Sequence, residues 1–217
     1  MDQNLFFIDF ETTGLNPYHN EPIEIAVQKY NNKNYYQTLI IPSINGVHYK
    51  YISPKINQIT GITDHDIEKK AIQKNEALIN LCKYIHENYT GEGDIYIIAH
   101  NGLTFDFLFL KKMIKEYYHS NHRKTRNNLL YLDIIQKFKY IDTVLLAKLL
   151  IPDSNVNQPS LCKRFNIYNN SEHRSLGDVN ALIQLYTTIC EQLSYIHNHE
   201  KDFYLKNPST IIKELFI

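Results

Sequence analysis

The chain has 217 residues, of which 43% are hydrophobic and 21% charged, and its 23 basic and 23 acidic side chains give a formal net charge of zero. This composition is ordinary for a globular protein, the length suits one domain with a substantial core, and no apolar run approaches the ~20 residues of a membrane-spanning helix. Zero net charge disfavours a protein that coats nucleic acid through charge alone, but it does not exclude an enzyme that meets phosphate through bound cations. The lack of a signal-peptide pattern and three cysteines without metal-type spacing predict a soluble, intracellular protein of a reducing compartment.

The first part of the chain is predicted to form an antiparallel meander of three strands. Residues 5–10 form an apolar run typical of a fully buried strand. Residues 22–30 and 35–42 are rich in β-branched and aromatic side chains and are separated by the polar turn NNKN, which indicates a hairpin. The next segment, 53–67, is predicted to be a loop with short helical turns.

The rest of the chain is predicted to alternate helices and strands. The predicted helices span 75–89, 104–118, 144–150, 160–165, 175–195 and a short stretch within 207–217, and the predicted strands span 94–100 and 138–143. Thr104 is the candidate N-cap of the second helix, and the polar stretch 119–128 is predicted to be a loop or an exposed helix end. This order predicts an α/β fold in which a mixed sheet is flanked by helices. We expect one domain over 1–217, with its core over about 4–195 and a C-terminal helical extension over 196–217.

Two carboxylates, Asp9 and Glu11, stand at the end of the first predicted strand, with no Lys or Arg nearby in sequence. Because strand side chains alternate between faces, residues two apart point to the same face. Like charges this close raise each other's pKa, so a buried pair needs a protein cation or a bound metal to offset its cost. The alternative is a solvated strand end, because D-x-E alone is a weak signal.

Two further acids lie at predicted helix starts. Asp106 follows the strand 94–100 and is surrounded by phenylalanines, and Asp178 shares a helix face with apolar residues that should turn inward. A favourable interaction with the helix dipole would explain either acid without any function, and Asp178 could form a capping box with Ser175. His173 precedes Asp178 by five residues, in a loop where an isolated histidine is usually solvated.

The combination of these acids is more informative than any one of them. If Asp9, Glu11, Asp106 and Asp178 converge in one crevice, their oxygen atoms favour hard divalent cations such as Mg²⁺ or Mn²⁺. No Cys or His cluster has zinc spacing. Sites of this kind hold two metal ions about 4 Å apart and catalyse displacement at phosphoryl groups. The residues therefore predict a two-metal phosphoryl-transfer centre.

The motifs, in this order, resemble those of the DEDDh family of 3′–5′ exonucleases. FIDFETTGL resembles the first motif of the family, AHNGLTFDFLFL the second and HRSLGDV the third, while INQITGIT and YIDTVLLAKLL resemble segments of its epsilon-like branch. The likeness covers about 5–195. His173 stands at the DEDDh spacing, and Arg174 occupies the position where the sister DEDDy group carries a tyrosine.

The resemblance implies a ribonuclease H-like fold, with a five-stranded mixed sheet and helices on both sides. It also implies that Asp9, Glu11, Asp106 and Asp178 bind two cations, Mg²⁺ or Mn²⁺, with Asp9 bridging both. His173 would be the general base that takes a proton from the attacking water. The implied reaction releases nucleoside 5′-monophosphates from a 3′ end.

Substrate contacts are also implied by the resemblance. Residues beside the 3′-terminal nucleotide would be Thr12, Thr13, Gly14 and Leu15, with His100 and Asn101 lining the same crevice. Independently of the resemblance, one basic stretch stands out in this neutral chain: Lys111, Lys112, Lys115, Arg123, Lys124 and Arg126. It could follow the phosphates that lead to the active site, or it could be a solvated surface.

Several alternatives stay open at this stage. Contacts to the 2′ position decide between DNA and RNA, and the epsilon-like spacing gives DNA a slight preference over an exoribonuclease. A non-catalytic nucleic-acid-binding module, a polymerase-associated subunit with vestigial activity and a ribonuclease H-type endonuclease or integrase are the other candidates; the last two lack this His-to-Asp spacing. The expected partner is single-stranded or 3′-terminal nucleic acid and not a membrane, and a homodimer or a polymerase partner is left open.

Overall fold

A computed structural model of the chain describes residues 4–44, 47–49, 51–120, 126–169 and 173–215. Its strands are β1 (Leu5–Thr12), β2 (Pro22–Lys29), β3 (Tyr35–Leu39), β4 (Ser43–Ile44), β5 (Val47–His48), β6 (Ile95–Ala99) and β7 (Phe138–Asp142). Its α-helices are α1 (Pro54–Thr60), α2 (Asp64–Lys70), α3 (Lys74–Asn88), α4 (Asp106–His119), α5 (Arg126–Leu132), α6 (Thr143–Leu150), α7 (Gln158–Arg164), α8 (Ser175–Ile196), α9 (Phe203–Lys206) and α10 (Pro208–Leu215), and Asp133–Lys137 forms a 3₁₀ helix. None of the helices in these described ranges is both long and apolar enough to span a membrane.

The central sheet has five strands in the order β3-β2-β1-β6-β7. Strands β1, β2 and β3 are antiparallel neighbours, whereas β6 runs parallel to both β1 and β7. Strands β4 and β5 pair separately as a short two-stranded ribbon. The predicted meander and the predicted mixed sheet flanked by helices are therefore confirmed.

The side chains of β1 alternate between two apolar layers. Phe6 and Ile8 pack in the layer that includes α3 and α4, while Leu5 and Phe7 pack in the layer that includes α6 and α8. Each of these four side chains is at most 1% exposed, and full burial of such a side chain contributes about 1.5–3 kcal/mol. Because both faces are covered, β1 is a rigid base for the residues at its carboxyl end.

Strand β1 continues beyond the end of β6. Its pairing with β6 ends at Phe7, opposite Ile98, whereas its pairing with β2 continues to Thr12. The last part of β1 therefore has a neighbouring strand on one side only. This open side lies at the carboxyl ends of parallel strands, where a crevice for ligands is expected in α/β sheets.

The predicted helix start at Thr104 is wrong. Helix α4 begins at Asp106, and the preceding residue, Phe105, makes no side-chain cap. The Thr104 hydroxyl donates instead to Asn101 Oδ1 at 2.8 Å. The carboxylate of Asp142 accepts the backbone N–H groups of Asn101 and Leu103 at 2.9 and 3.0 Å, which holds this loop out of the helix.

The remaining predicted helices are found within a few residues of their predicted bounds. Helix α5 and the 3₁₀ helix were not predicted, because their sequences are short and lack a helical apolar period, whereas α9 falls within the predicted C-terminal helical extension. Residues 121–125, in the middle of the polar stretch, lie outside the described residues. The three cysteines, Cys82, Cys162 and Cys190, are buried. The single domain over 1–217 stays a prediction; Tyr204 and Ile211, in the C-terminal extension, are buried in the same layer as Phe7.

Candidate active site

Three of the four predicted acids come together at the open end of β1. Asp9 and Glu11 project from β1 and Asp178 from the first turn of α8, and one carboxylate oxygen of each lies within 4.8 Å of the others. All three side chains are partly exposed. Helix α8 packs across β1 and β2, so the sheet and the helix together fix this group, which has the oxygen-only chemistry that Mg²⁺ and Mn²⁺ prefer.

The fourth acid, Asp106, is bound to the backbone of β1. Its carboxylate Oδ1 accepts the N–H of Phe10 at 3.0 Å, a donor that has no strand partner because β6 has already ended. Asp106 is 2% exposed. Among the neighbouring charges, Asp106 makes the largest contribution to the raised pKa of Asp9. Asp106 therefore belongs electrostatically to the same cluster, although it lies outside the closest group of three.

Burial and mutual repulsion raise the pKa of these acids. The pKa of Asp9 lies well above its ordinary value, first because of burial and then because of Asp106 and Asp178. Burial, followed by Asp178 and Glu24, raises the pKa of Glu11 to about 8. Burial also raises the pKa of Asp106 to about 8. Arg174 opposes the rise for Glu11 only in part, and the residues fit bound divalent cations as the remaining compensation.

Asp178 is held by neighbours on both sides. Its Oδ2 accepts the backbone N–H of His173 at 2.9 Å, and its Oδ1 accepts the side-chain amide of Asn169 at 2.8 Å. The alternative of a capping box with Ser175 is wrong, because α8 begins at Ser175 itself and the capping position is taken by Arg174, which makes no side-chain cap. Asp178 is therefore oriented by the loop before the helix.

His173 lies in that loop, beside the acids. It is exposed and has a backbone φ of +61°. It lines the same cleft as Asp9, Glu11 and Asp178. The predicted base is thus brought to the predicted metal ligands, although its role as a base stays a prediction.

The cleft beside the acids has a volume of about 510 Å³. The predicted substrate residues Thr12, Thr13, Gly14 and Leu15 line one wall. The other wall was missed by sequence reasoning; it consists of Phe105 and residues in and around α1, namely Ser53, Lys55, Ile56, Ile59 and Thr60. Leu15 is 82% exposed, so an apolar surface is available to a ligand at this position.

His100 and Asn101 are hydrogen-bonded to neighbours in their own region of the chain. His100 Nδ1 lies 2.8 Å from Thr143 Oγ1, and burial lowers the pKa of His100. Asn101 Oδ1 accepts the Thr104 hydroxyl. Neither residue is among those that line the cleft within the described parts of the chain, so their substrate contacts stay a prediction. Asp142, which binds the backbone of this loop, was not singled out.

The basic stretch is partly used for structure. Lys112 Nζ donates to Asn20 O at 2.8 Å and to Glu21 Oε1 at 2.5 Å, and Lys111 Nζ lies 5.0 Å from the centre of the Tyr140 ring. Lys115 is exposed. Two of the six cations, Arg123 and Lys124, lie outside the described residues, as does the side chain of Arg126. A path for phosphates along this stretch stays a prediction.

A buried glutamate next to the cluster was also missed. Glu24 on β2 is directly opposite Glu11 on β1 and is 1% exposed. The sequence signal was an acid between Ile23 and Ile25 in an otherwise apolar strand. A charged residue there has to be paired, and Arg174 is its ionic partner at 2.7 Å.

The known proteins to which this chain is similar include exonucleases. Residues 6–186 match the family model RNase T, described as Exonuclease. The chain is 30% identical over 199 residues to the PolC-type DNA polymerase III of Thermotoga maritima, covering 90% of this chain and 12% of that relative. It is 31% identical over 105 residues to the Arabidopsis thaliana exonuclease DPD1, chloroplastic/mitochondrial, covering 47% of this chain and 31% of that one. The chain thus spans about an eighth of the length of the PolC relative.

Solved structures of exonuclease I share the fold. Escherichia coli exonuclease I in complex with a dT13 oligonucleotide superposes with a TM-score of 0.64 at 17% identity, covering 89% of this chain and 42% of that one. Exonuclease I from Methylocaldum szegediense gives a TM-score of 0.60 at 18% identity, covering 87% and 40%. The family model spans most of the sequence and includes all four acids and His173, and the chain therefore belongs to the RNase T exonuclease family.

Proposed function

We propose that this chain is a metal-dependent 3′–5′ exonuclease that releases nucleoside 5′-monophosphates from single-stranded or 3′-terminal nucleic acid. The observation that carries the proposal is the group of three carboxylates within 4.8 Å at one end of a cleft of about 510 Å³ that also contains His173. The exonuclease family model supports the reaction, and the fourth acid, Asp106, supports a site with enough charge for two cations.

Asp9, Glu11 and Asp178 would hold the cations, and Asp106 would contribute its carboxylate from the start of α4. Two divalent cations, Mg²⁺ or Mn²⁺, would supply acidification of a water molecule and stabilisation of the departing 3′-oxygen. His173 would take the proton of the attacking water, a task that suits an exposed imidazole near neutral pH. The rigid support of β1 keeps the acids in place without rearrangement.

The cleft walls would hold the terminal nucleotide. Leu15 would pack against its base, and Ile56 and Ile59 face the same cleft from α1. The backbone around Gly14 would contact the 3′ end; the Thr12 hydroxyl donates to Gly14 O at 2.7 Å and so holds this turn. Water exclusion by these apolar groups strengthens the electrostatic interactions inside the cleft.

DNA is the preferred substrate in this proposal, with RNA as the alternative. Support comes from the relatives that are DNA polymerases and from the solved neighbours with bound dT13 and dA16 oligonucleotides. The same relatives make a polymerase a candidate partner, while a homodimer has no specific support. The alternative function is a nucleic-acid-binding module without catalysis.

The test is incubation of the purified chain with 5′-labelled single-stranded DNA and RNA oligonucleotides of matched sequence, in Mg²⁺, Mn²⁺ or EDTA. We expect a metal-dependent ladder that shortens from the 3′ end and is absent for Asp9→Ala. Faster degradation of one oligonucleotide decides the sugar preference. Binding without cleavage in either metal would contradict the enzyme proposal and favour the binding module.

A further inference from the structure

Glu24 is a buried carboxylate beside the acidic centre whose oxygens are both occupied by protein donors. Its Oε1 accepts Arg174 Nη2 at 2.7 Å and the side-chain amide of Gln37 at 3.0 Å. Its Oε2 accepts the backbone N–H of Ser175 at 3.0 Å and Arg174 Nε at 3.3 Å. With four donors in place, Glu24 has a different task from that of its neighbour Glu11, which lies among the candidate metal ligands.

The contact with Ser175 satisfies the start of α8. The first N–H groups of a helix have no partner within the helix, and they are commonly capped by the side chain of the preceding residue. Here that residue is Arg174, whose side chain can only donate. Glu24 supplies the missing acceptor from a neighbouring strand, and a carboxylate at a helix N-terminus is favourable.

The contact between Glu24 and Arg174 also fixes the side chain of Arg174. An arginine that meets a carboxylate through two of its nitrogens is held in orientation as well as in position. Arg174 thus joins β2 to the loop before α8 by side-chain contacts, while Ser175 joins it by a backbone contact. Two consecutive residues are thereby attached to one carboxylate.

The anchored residues directly follow His173. Its φ of +61° is a conformation that costs a residue with a Cβ atom energy, so the surrounding chain has to impose it. Within the described parts of the chain, the His173 backbone N–H is bound to Asp178 at 2.9 Å and no hydrogen bond fixes the imidazole. The direction of the imidazole therefore depends on how the backbone on either side of it is held.

We propose that Glu24 and Arg174 form a positioning pair that sets the direction of the His173 imidazole toward the acidic centre. The inference rests on the proposed function, because it assigns His173 to the reaction. The pair acts through the backbone of residues 173–175, and its loss should lower the turnover number at saturating substrate and metal. KM should change little, because the walls of the cleft are built by other segments.

Charge and position make opposite predictions for the two partners. Glu24→Gln removes a negative charge near the metal ligands, whereas Arg174→Ala removes a positive one. If the pair acts through charge alone, the two variants should therefore change Mn²⁺ affinity in opposite directions, and activity likewise. An effect through position lowers the turnover number in both variants. The double variant should be no worse than either single variant, because each removes the same anchor.

The experiment compares Glu24→Gln, Arg174→Ala and the double variant with Arg164→Ala, which makes the same chemical change at an exposed residue of α7. We expect kcat to fall roughly 10- to 100-fold in all three variants, with KM changed less than threefold and Arg164→Ala unchanged. Mn²⁺ affinity is measured by calorimetry with the metal alone. Amide hydrogen exchange of His173 and Ser175, followed by NMR without metal, should be at least tenfold faster in the three variants.

Unchanged kcat in both single variants would overturn the inference, and so would changes in opposite directions or full recovery with more Mn²⁺. If the unaltered chain shows no exonuclease turnover, the proposed function fails, and the exchange measurement still decides the anchoring. Faster exchange of the His173 amide in the variants would support the anchoring of this backbone by Glu24 and Arg174, and unchanged exchange would overturn it.

Discussion

The connection between β1 and β2 has acidic side chains at each end, buried at the β2 end and partly buried at the β1 end. Their charges are compensated in different ways. At the β2 end, Glu21 is 3% exposed and binds Lys112 at 2.5 Å and also Lys74. Lys74 in turn binds Glu116 at 2.6 Å. At the β1 end, Asp9 and Glu11 face other acids, and Arg174 is the cation that lowers the pKa of Glu11.

Burial of a carboxylate is therefore not enough to identify a metal site. The two kinds of site are distinguished by whether protein side chains supply the compensating positive charge. The Glu21 group is neutralised by lysines and holds the connection together, since Thr13 and Glu21 exchange two hydrogen bonds, one of them through the Thr13 hydroxyl. The Asp9 group is left with surplus negative charge and an open cleft. One group is structural, and we propose that the other binds cations.

Asp9→Asn should give the largest effect and separate activity from stability. Loss of a ligand removes several kcal/mol of charge stabilisation, so the exonuclease rate should fall by roughly 10³-fold or more. Without metal, the same variant should unfold at a higher temperature, because the folded chain no longer has to hold this carboxylate among other acids or bind a proton to neutralise it. Nuclease assays and thermal unfolding in EDTA check the two effects. A lower unfolding temperature would contradict the surplus of negative charge.

Lys74→Met should destabilise the protein by about 1.5–3 kcal/mol, because Glu21 stays buried and keeps only Lys112 of its two cations. Urea unfolding measures this loss, which added Mg²⁺ should not restore. The matched control is Lys70→Met, since Lys70 pairs with Asp66 at the surface and its side chain is 67% exposed. That variant should cost less than about 1 kcal/mol. Equal losses in the two variants would contradict the structural role of the Glu21 group.

Stability without metal should decrease as the pH rises from about 5 to about 8. Glu11 and Asp106 both have a pKa of about 8 in the folded chain, above the ordinary values of ~4 in an unfolded chain. The folded state thus binds their protons more tightly, and it loses this advantage as they ionise. Mg²⁺ or Mn²⁺ at 100 times its Kd should restore about 2.7 kcal/mol. Thermal unfolding across this pH range checks both, and a flat profile without metal would contradict the raised pKa values.

Lys115→Gln should have the smallest effect. If Lys115 meets a phosphate, the affinity for a single-stranded oligonucleotide should fall less than about threefold, and the salt dependence of binding should lose about one unit of slope. Lys112→Gln should instead lower stability, because Lys112 is bound to Glu21. Fluorescence anisotropy in EDTA over a range of salt concentrations, together with urea unfolding, distinguishes the two. An unchanged slope for Lys115→Gln would contradict a phosphate contact and show that Lys115 is only a solvated surface residue.

The sheet and the acids could be predicted from sequence because their signals are local. Alternation in β1 placed Asp9 and Glu11 on one face, and an acid after each buried strand or at a helix start indicated the rest. The contacts of Glu24 could not be predicted, because its partner Arg174 lies 150 residues away. The wall of the cleft formed by α1 was missed for the same reason. The Thr104 cap was wrong because a distant carboxylate, Asp142, holds the loop before α4.

The hydrogen bond between Asp106 and Phe10 has a consequence for association between molecules. Where β1 runs past β6, its free side would present an unpaired backbone N–H, the kind of edge to which a strand of another chain can add. Asp106 covers that donor, and an incoming strand would have to deprive this buried carboxyl group of its N–H partner. The same carboxylate thus completes the acidic centre and occupies the Phe10 N–H, so that a strand of another chain finds no free donor at this point of β1.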